Sequence, residues 1–137
     1  MSRIAIGFMS LLVVFVAIGC GGTQVTVHGQ DRAAGAVGTI DVESLETGNY
    51  AVETVVEHLL PPNRFGEGLT TYAVWFQAPD EQPDRVGVLD YDEDDRRGEM
   101  MATTSLPTFQ VIVTGESDTG AVAPSEHVVF RTNVATR

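Results

Sequence analysis

A single cysteine and no lysine are the first absences in this 137-residue chain. With Cys20 alone there can be no intrachain disulfide, no CxxC redox pair and no thiolate cluster for zinc. All eight basic side chains are arginine, against nineteen Asp and Glu, for a net charge of −11. Phosphate backbones are repelled by such a surface, which argues against nucleic acid as a partner. Nor is there an apolar run long enough to span a bilayer comfortably: residues 4–18 are the only sustained stretch, and about 20 are needed. The signatures GxSxG and HExxH are missing, and His28, His58 and His127 stand far apart with no zinc-ligand spacing. A hydrophobic share of 43% excludes a disordered chain.

What is present begins with an address. Met1, Ser2 and Arg3 make a short, positively charged start, followed by the apolar run, then Gly19 and Cys20. The length suits the h-region of a signal peptide. Residues 17–20, Ala-Ile-Gly-Cys, resemble the bacterial lipobox, which needs a thiol for thioether formation and a small residue before it for peptidase access. The expectation is a signal peptide over 1–19, lipidation of Cys20, a short tether to residue 23, and one domain over 24–137. Two or three acyl chains, at about 0.8 kcal/mol per buried CH₂, make a stable anchor. Gly21, standing where Asp would retain a lipoprotein at the inner membrane, favours the outer membrane or periplasmic face. Arg3 is the leader's only charge, so the mature part carries seven Arg against nineteen acids, a net −12.

From Gln24 onward the apolar period is two. Val25 and Val27 alternate with Thr26 and His28, and Ile40 and Val42 with Asp41 and Glu43. In residues 49–60, Tyr50, Val52, Val56 and Leu60 share one face while Glu53 and Glu57 lie on the other. Helical spacing fits this stretch too, but its β-branched residues favour a strand. Pro61 and Pro62 stop it. Residues 70–78 are apolar on both faces, as in a central strand. Residues 85–91 and 99–105 read as a hairpin across an acidic turn at 92–98, and Phe109, Val111 and Val113 alternate in the next strand. A turn at 115–120 and Pro124 lead to a last strand at 127–134. Seven or eight short strands with turn signals every 8 to 12 residues predict an all-β fold, an Ig-like two-layer antiparallel β-sandwich with Trp75 between the sheets.

Several phrases then gain meaning together: Tyr72-Ala73-Val74-Trp75, Gly87-Val88-Leu89, the alternating strand from Phe109 to Glu116, and Pro124-Ser125 before an apolar strand. About half the chain thereby resembles the extracytoplasmic C-terminal domain of anti-sigma-K factors. The resemblance implies a sensor-like or scaffold-like sandwich outside the membrane. It does not imply sigma-factor binding, since in that family a cytosolic helical domain performs it, and only three residues precede the apolar run here.

Two places stand out as candidate sites. Residues 61–69 form a long connection holding Arg64 and Phe65, residue types enriched in recognition, and are the expected partner-binding surface. Asp90, Asp92 and Asp94 have the alternate spacing of the first three ligands in a calcium loop. Asp95 and Met101, however, stand where an EF-hand needs Gly and Glu. Ser105, Ser117 and Ser125 sit beside turns, where serine needs no further explanation. The functional expectation is a non-enzymatic envelope lipoprotein, free of cofactor, whose sandwich binds an envelope protein or cell-wall partner or is structural. Its rivals are a calcium-dependent adhesion or sensing module and a small hydrolase.

Overall fold

The computed structural model describes residues 22–136. The expected signal peptide over 1–19 and the expected lipidation at Cys20 lie outside the described residues. Among the described residues nine strands form two antiparallel sheets. The first has the order β1 (Thr23–His28), β2 (Val37–Ser44), β3 (Tyr50–Glu57), β7 (Arg97–Thr104), β6 (Asp90–Asp92). The second has the order β5 (Asp84–Val88), β4 (Thr71–Gln77), β8 (Thr108–Glu116), β9 (Val128–Ala135). Two short helical turns interrupt the loops, a 3₁₀ turn at Asp31–Ala33 and α1 at Pro62–Phe65. Among the described residues no helix is long and apolar enough to cross a membrane.

Period-two patterning decides which side chains meet between the sheets. Ile40 and Val42 of β2 and Val52, Thr54 and Val56 of β3 are buried from one side. Tyr72, Val74 and Phe76 of β4, Phe109, Val111 and Val113 of β8, and Phe130 and Val134 of β9 are buried from the other. Phe76 and Phe109 touch with ring centroids 4.8 Å apart. Gly38 in β2 is what lets Phe130 lie flat across that sheet: a Cβ there would come within 2.6 Å of the ring.

Trp75 is not among these residues, contrary to the expectation from sequence. It is fully buried, but on the outer face of the four-stranded sheet, with Ala73 and Ile112. Ala121 and Val128, from the β8–β9 connection and the start of β9, cover it. The physical reason is that β4 is apolar on both faces, so alternation alone does not say which of its faces meets the second sheet. The loop between β8 and β9 supplies the cover that a third layer would otherwise provide.

The expected hairpin of 85–91 with 99–105 is also revised. The stretch divides at Leu89 into two strands in different sheets. β5 pairs with β4, whereas only β6 pairs with β7, through Asp90–Glu99, Tyr91–Gly98 and Asp92–Arg97. At the crossing, the Leu89 amide donates to the Tyr72 carbonyl at 2.9 Å, and the Leu89 side chain is buried. Inserting Leu89 into the core is what turns the chain from one layer to the other.

Strand direction gives the sandwich two distinct ends. Thr23 pairs with Val42, Val42 with Val52 and Val52 with Ala102. The start of β1, the β2–β3 turn and the end of β7 therefore share one end. His28, Val37 and Glu57 pair across the opposite end, where the 3₁₀ turn, α1 and the β6–β7 turn gather. β3 is eight residues long, which separates the ends by roughly 26 Å.

Candidate functional site

The end away from Thr23 carries the most elaborate local structure. After β3 the chain runs through His58, Leu59 and Leu60 into Pro61 and α1. Pro62 suits the first helical position, where no backbone donor is required. The amides of Arg64, Phe65 and Gly66 donate to the carbonyls of Pro61 and Pro62 at 2.9–3.1 Å. This short helix turns Phe65 inward: its ring is buried against Tyr72 at 6.0 Å and His127 at 6.4 Å. Of the pair expected to meet a partner, Phe65 is thus part of the core lid, and only Arg64 is presented to solvent.

The segment 58–60 is held from three directions. The Tyr72 hydroxyl, from the four-stranded sheet, donates to the Leu60 carbonyl at 2.5 Å. The Tyr91 hydroxyl, from the five-stranded sheet, donates to the Leu59 carbonyl at 2.5 Å. The Leu59 amide donates to the Arg96 carbonyl at 2.9 Å, tying the segment to the β6–β7 turn. Tyr72 and Tyr91 meet edge to face, with centroids 5.7 Å apart. Burial pushes the Tyr72 phenol well above its ordinary value, and the neighbouring Tyr91 adds to this. Tyr91 is raised chiefly by burial, with Arg96 opposing and Glu93 and Asp92 reinforcing.

These constraints shape a cavity of about 270 Å³. Leu59, Phe65 and Ala36 form its apolar floor, and Arg32, His58 and Arg96 stand at its rim. Arg32 is placed by the 3₁₀ turn, itself moored to β9 through the Gln30 amide and Val129 carbonyl at 2.8 Å. Backbone conformation singles out this place too. Among the described residues four non-glycine positions have positive φ: Asp31 at 50°, His58 at 56°, Asp80 at 61° and Arg96 at 50°. Two line the cavity and a third adjoins Arg32. Left-handed backbone costs a non-glycine residue about 1–3 kcal/mol, and such residues cluster at functional sites. Arg is the least suited of the three residue types, since Asp and His are enriched in that region and long side chains are not.

The acidic segment lies at the same end. Asp90, Asp92 and Asp94 are all exposed. One Asp92 carboxylate oxygen accepts from the amides of Asp94 at 3.0 Å and Asp95 at 3.3 Å, so this side chain caps its own turn. Among the described residues no three His, Cys, Asp or Glu side chains converge to hold a metal ion. Ion pairing among the described residues is confined to Arg97, with Glu99 at 3.0 Å and Glu57 at 3.8 Å.

A second polar construction covers Trp75. The Thr114 hydroxyl accepts from Trp75 Nε1 at 2.8 Å and donates to the buried Glu116 carboxylate at 2.5 Å. That carboxylate also accepts from the Ser125 amide at 2.9 Å. The Ser125 hydroxyl donates to the Gly115 carbonyl at 2.6 Å and accepts from the His127 amide at 3.1 Å. Every member is engaged in holding the β8–β9 connection over the indole, and no imidazole nitrogen pairs with this serine.

Residues 61–69, singled out from the sequence, lie at the same end as the cavity, whereas the sequence did not point to Arg32, His58 and Arg96. No local signal marks them, since they come from three connections and meet only in the folded chain. No family model, no curated protein and no solved structure matches this chain.

Proposed function

We propose that this chain is a lipid-anchored protein of the bacterial envelope whose sandwich is a non-enzymatic binding module, tethered at one end and presenting the other. The observation that carries this reading is the polarity of the domain. β1 begins at Thr23, three residues after Cys20, while α1, Arg64 and the Arg-rimmed cavity lie at the opposite end, roughly 26 Å away along β3. A lipid on Cys20, followed only by Gly21 and Gly22, would hold the Thr23 end at the membrane and turn the other end outward. The excess of acids keeps such a domain soluble beside the bilayer. The resemblance to anti-sigma-K extracytoplasmic domains agrees with a binding role outside the membrane.

The test is intact mass and detergent partitioning of the protein expressed in a bacterium, beside Cys20→Ser. Loss of residues 1–19, added acyl mass and detergent entry of the wild type alone are the expected results. A full-length, unmodified chain that stays in the membrane in both forms would replace lipidation with an uncleaved anchor.

A further inference from the structure

The cavity between the 3₁₀ turn, the exit of β3 and the β6–β7 turn has a chemistry that its surroundings do not share. In a chain with nineteen acids, no Asp or Glu lines it, while two arginines and a histidine do. Asp31 and Asp95, the sequence neighbours of those arginines, do not line it either. Its floor is apolar and buried, formed by Leu59, Phe65 and Ala36. Guanidinium groups bind planar oxyanions through paired N–H donors, and an apolar floor accepts a hydrocarbon body. At about 270 Å³ the space is slightly smaller than ordinary small-ligand sites, which suits a short molecule and no large one.

We infer that this cavity binds a small organic oxyanion, a carboxylate or phosphate ester with a short apolar body, with Arg32 and Arg96 holding the head and Leu59 and Phe65 receiving the body. The second observation behind this is the backbone. Arg96 occupies a left-handed position at φ 50°, where glycine would be at ease, and His58 does the same at φ 56°. At Arg96 local preference is violated where the side chain reaches the cavity, and such conflicts concentrate at functional sites. The two tyrosine hydroxyls that pin Leu59 and Leu60 keep the floor and rim in register before any ligand arrives. This inference rests on the proposed reading only in taking the end away from Thr23 as the presented one.

The experiment is an amide NMR titration of the full chain in a nonionic detergent with hexyl phosphate, hexanoate, hexanol and inorganic phosphate. Saturable binding on the order of 1 mM is expected for at least one of the two hexyl anions, as suits so few heavy atoms. Shifts should be confined to residues 32–36, 58–60, 65 and 96. Hexanol and inorganic phosphate each lack one half of the ligand and should bind more weakly. Arg96→Gly relieves the left-handed strain, so its melting temperature should hold or rise while affinity falls about tenfold; Arg32→Gln should lose a similar factor. The inference is overturned if neither hexyl anion binds, if hexanol binds as well as they do, if the shifts lie elsewhere, or if both variants bind like the wild type. Running the titration on Cys20→Ser as well, beside the mass and partitioning test on the wild type, separates the two readings. Binding by the variant leaves the site standing whatever the anchor test gives. A lipidated wild type in which neither hexyl anion binds leaves the anchor standing and removes the site.

Discussion

The Trp75 indole donates its N–H to the Thr114 hydroxyl at 2.8 Å, on the face of the four-stranded sheet that points away from its partner sheet. Because that hydroxyl passes its own hydrogen to Glu116, three buried polar side chains form one chain of bonds, anchored at its far end on the Ser125 amide. Such networks stabilise only when every member is satisfied.

Thr114→Val keeps the shape and removes both bonds. A loss of about 2–3 kcal/mol is expected, read by urea denaturation, with Thr114→Ser retaining most of the stability. A wild-type-like midpoint for Thr114→Val would show that the hydroxyl contributes nothing net.

Glu116→Gln keeps an oxygen able to accept from both Thr114 and Ser125 and should cost less than about 1 kcal/mol. Glu116→Leu leaves the Ser125 amide and Thr114 hydroxyl without this acceptor and should cost about 2–4 kcal/mol. Trp75 fluorescence should shift to the red in the leucine variant at neutral pH if the loop lifts. Equal costs for the two variants would refute the hydrogen-bond account.

The tyrosine pair predicts an alkaline limit to stability. The Tyr72 phenol is held above its ordinary value by burial, and Tyr91 is shifted the same way. A raised folded-state pKa means that the native form retains its proton after the unfolded chain has lost it. Stability from this source is therefore complete below about pH 10, where an unfolded tyrosine titrates, and declines as pH rises beyond it. Tyr72→Phe should lose about 1 kcal/mol at neutral pH, from the missing bond to the Leu60 carbonyl, and flatten the decline above pH 10. Chemical denaturation at pH 8 and pH 11 measures both effects; an unchanged alkaline slope would exclude Tyr72 as its source.

Leu89 both crosses between sheets and fills the core, so Leu89→Ala should cost about 2–4 kcal/mol, measured by thermal or urea unfolding. A loss below 1 kcal/mol would mean that the crossing depends on the backbone bond to Tyr72 and not on the side chain.

Calcium provides a further check. Binding with a dissociation constant near 1 mM would add about 1.4 kcal/mol at 10 mM calcium. With Asp92 capping its own turn and no convergent ligand set among the described residues, no rise in melting temperature is expected. A clear rise, abolished by Asp92→Asn, would restore the calcium reading.

How far the sequence reaches is seen best by comparing β3 with β4. In β3 two glutamates, Glu53 and Glu57, mark one face, so the buried face, with Val52 and Val56, follows from period two, as does the two-layer class. β4 is apolar on both faces. Nothing in its own residues says whether Tyr72 or Trp75 faces the other sheet, and the choice fell to what covers each side. Residues 85–91 read as one continuous strand because a change of sheet at Leu89 leaves the alternation intact on both sides of the break.

The sequence by itself determined that this is an all-β sandwich with an excess of acids and an apolar run shortly before its one cysteine, because side-chain periodicity, charge and apolar run length are local quantities. Only the tertiary structure decided that Trp75 lies outside the sandwich core, that Phe65 closes the distal end, and that Arg32, His58 and Arg96 meet around one apolar cavity. Those outcomes depend on which loops fold over which faces, and no window of neighbouring residues contains that information.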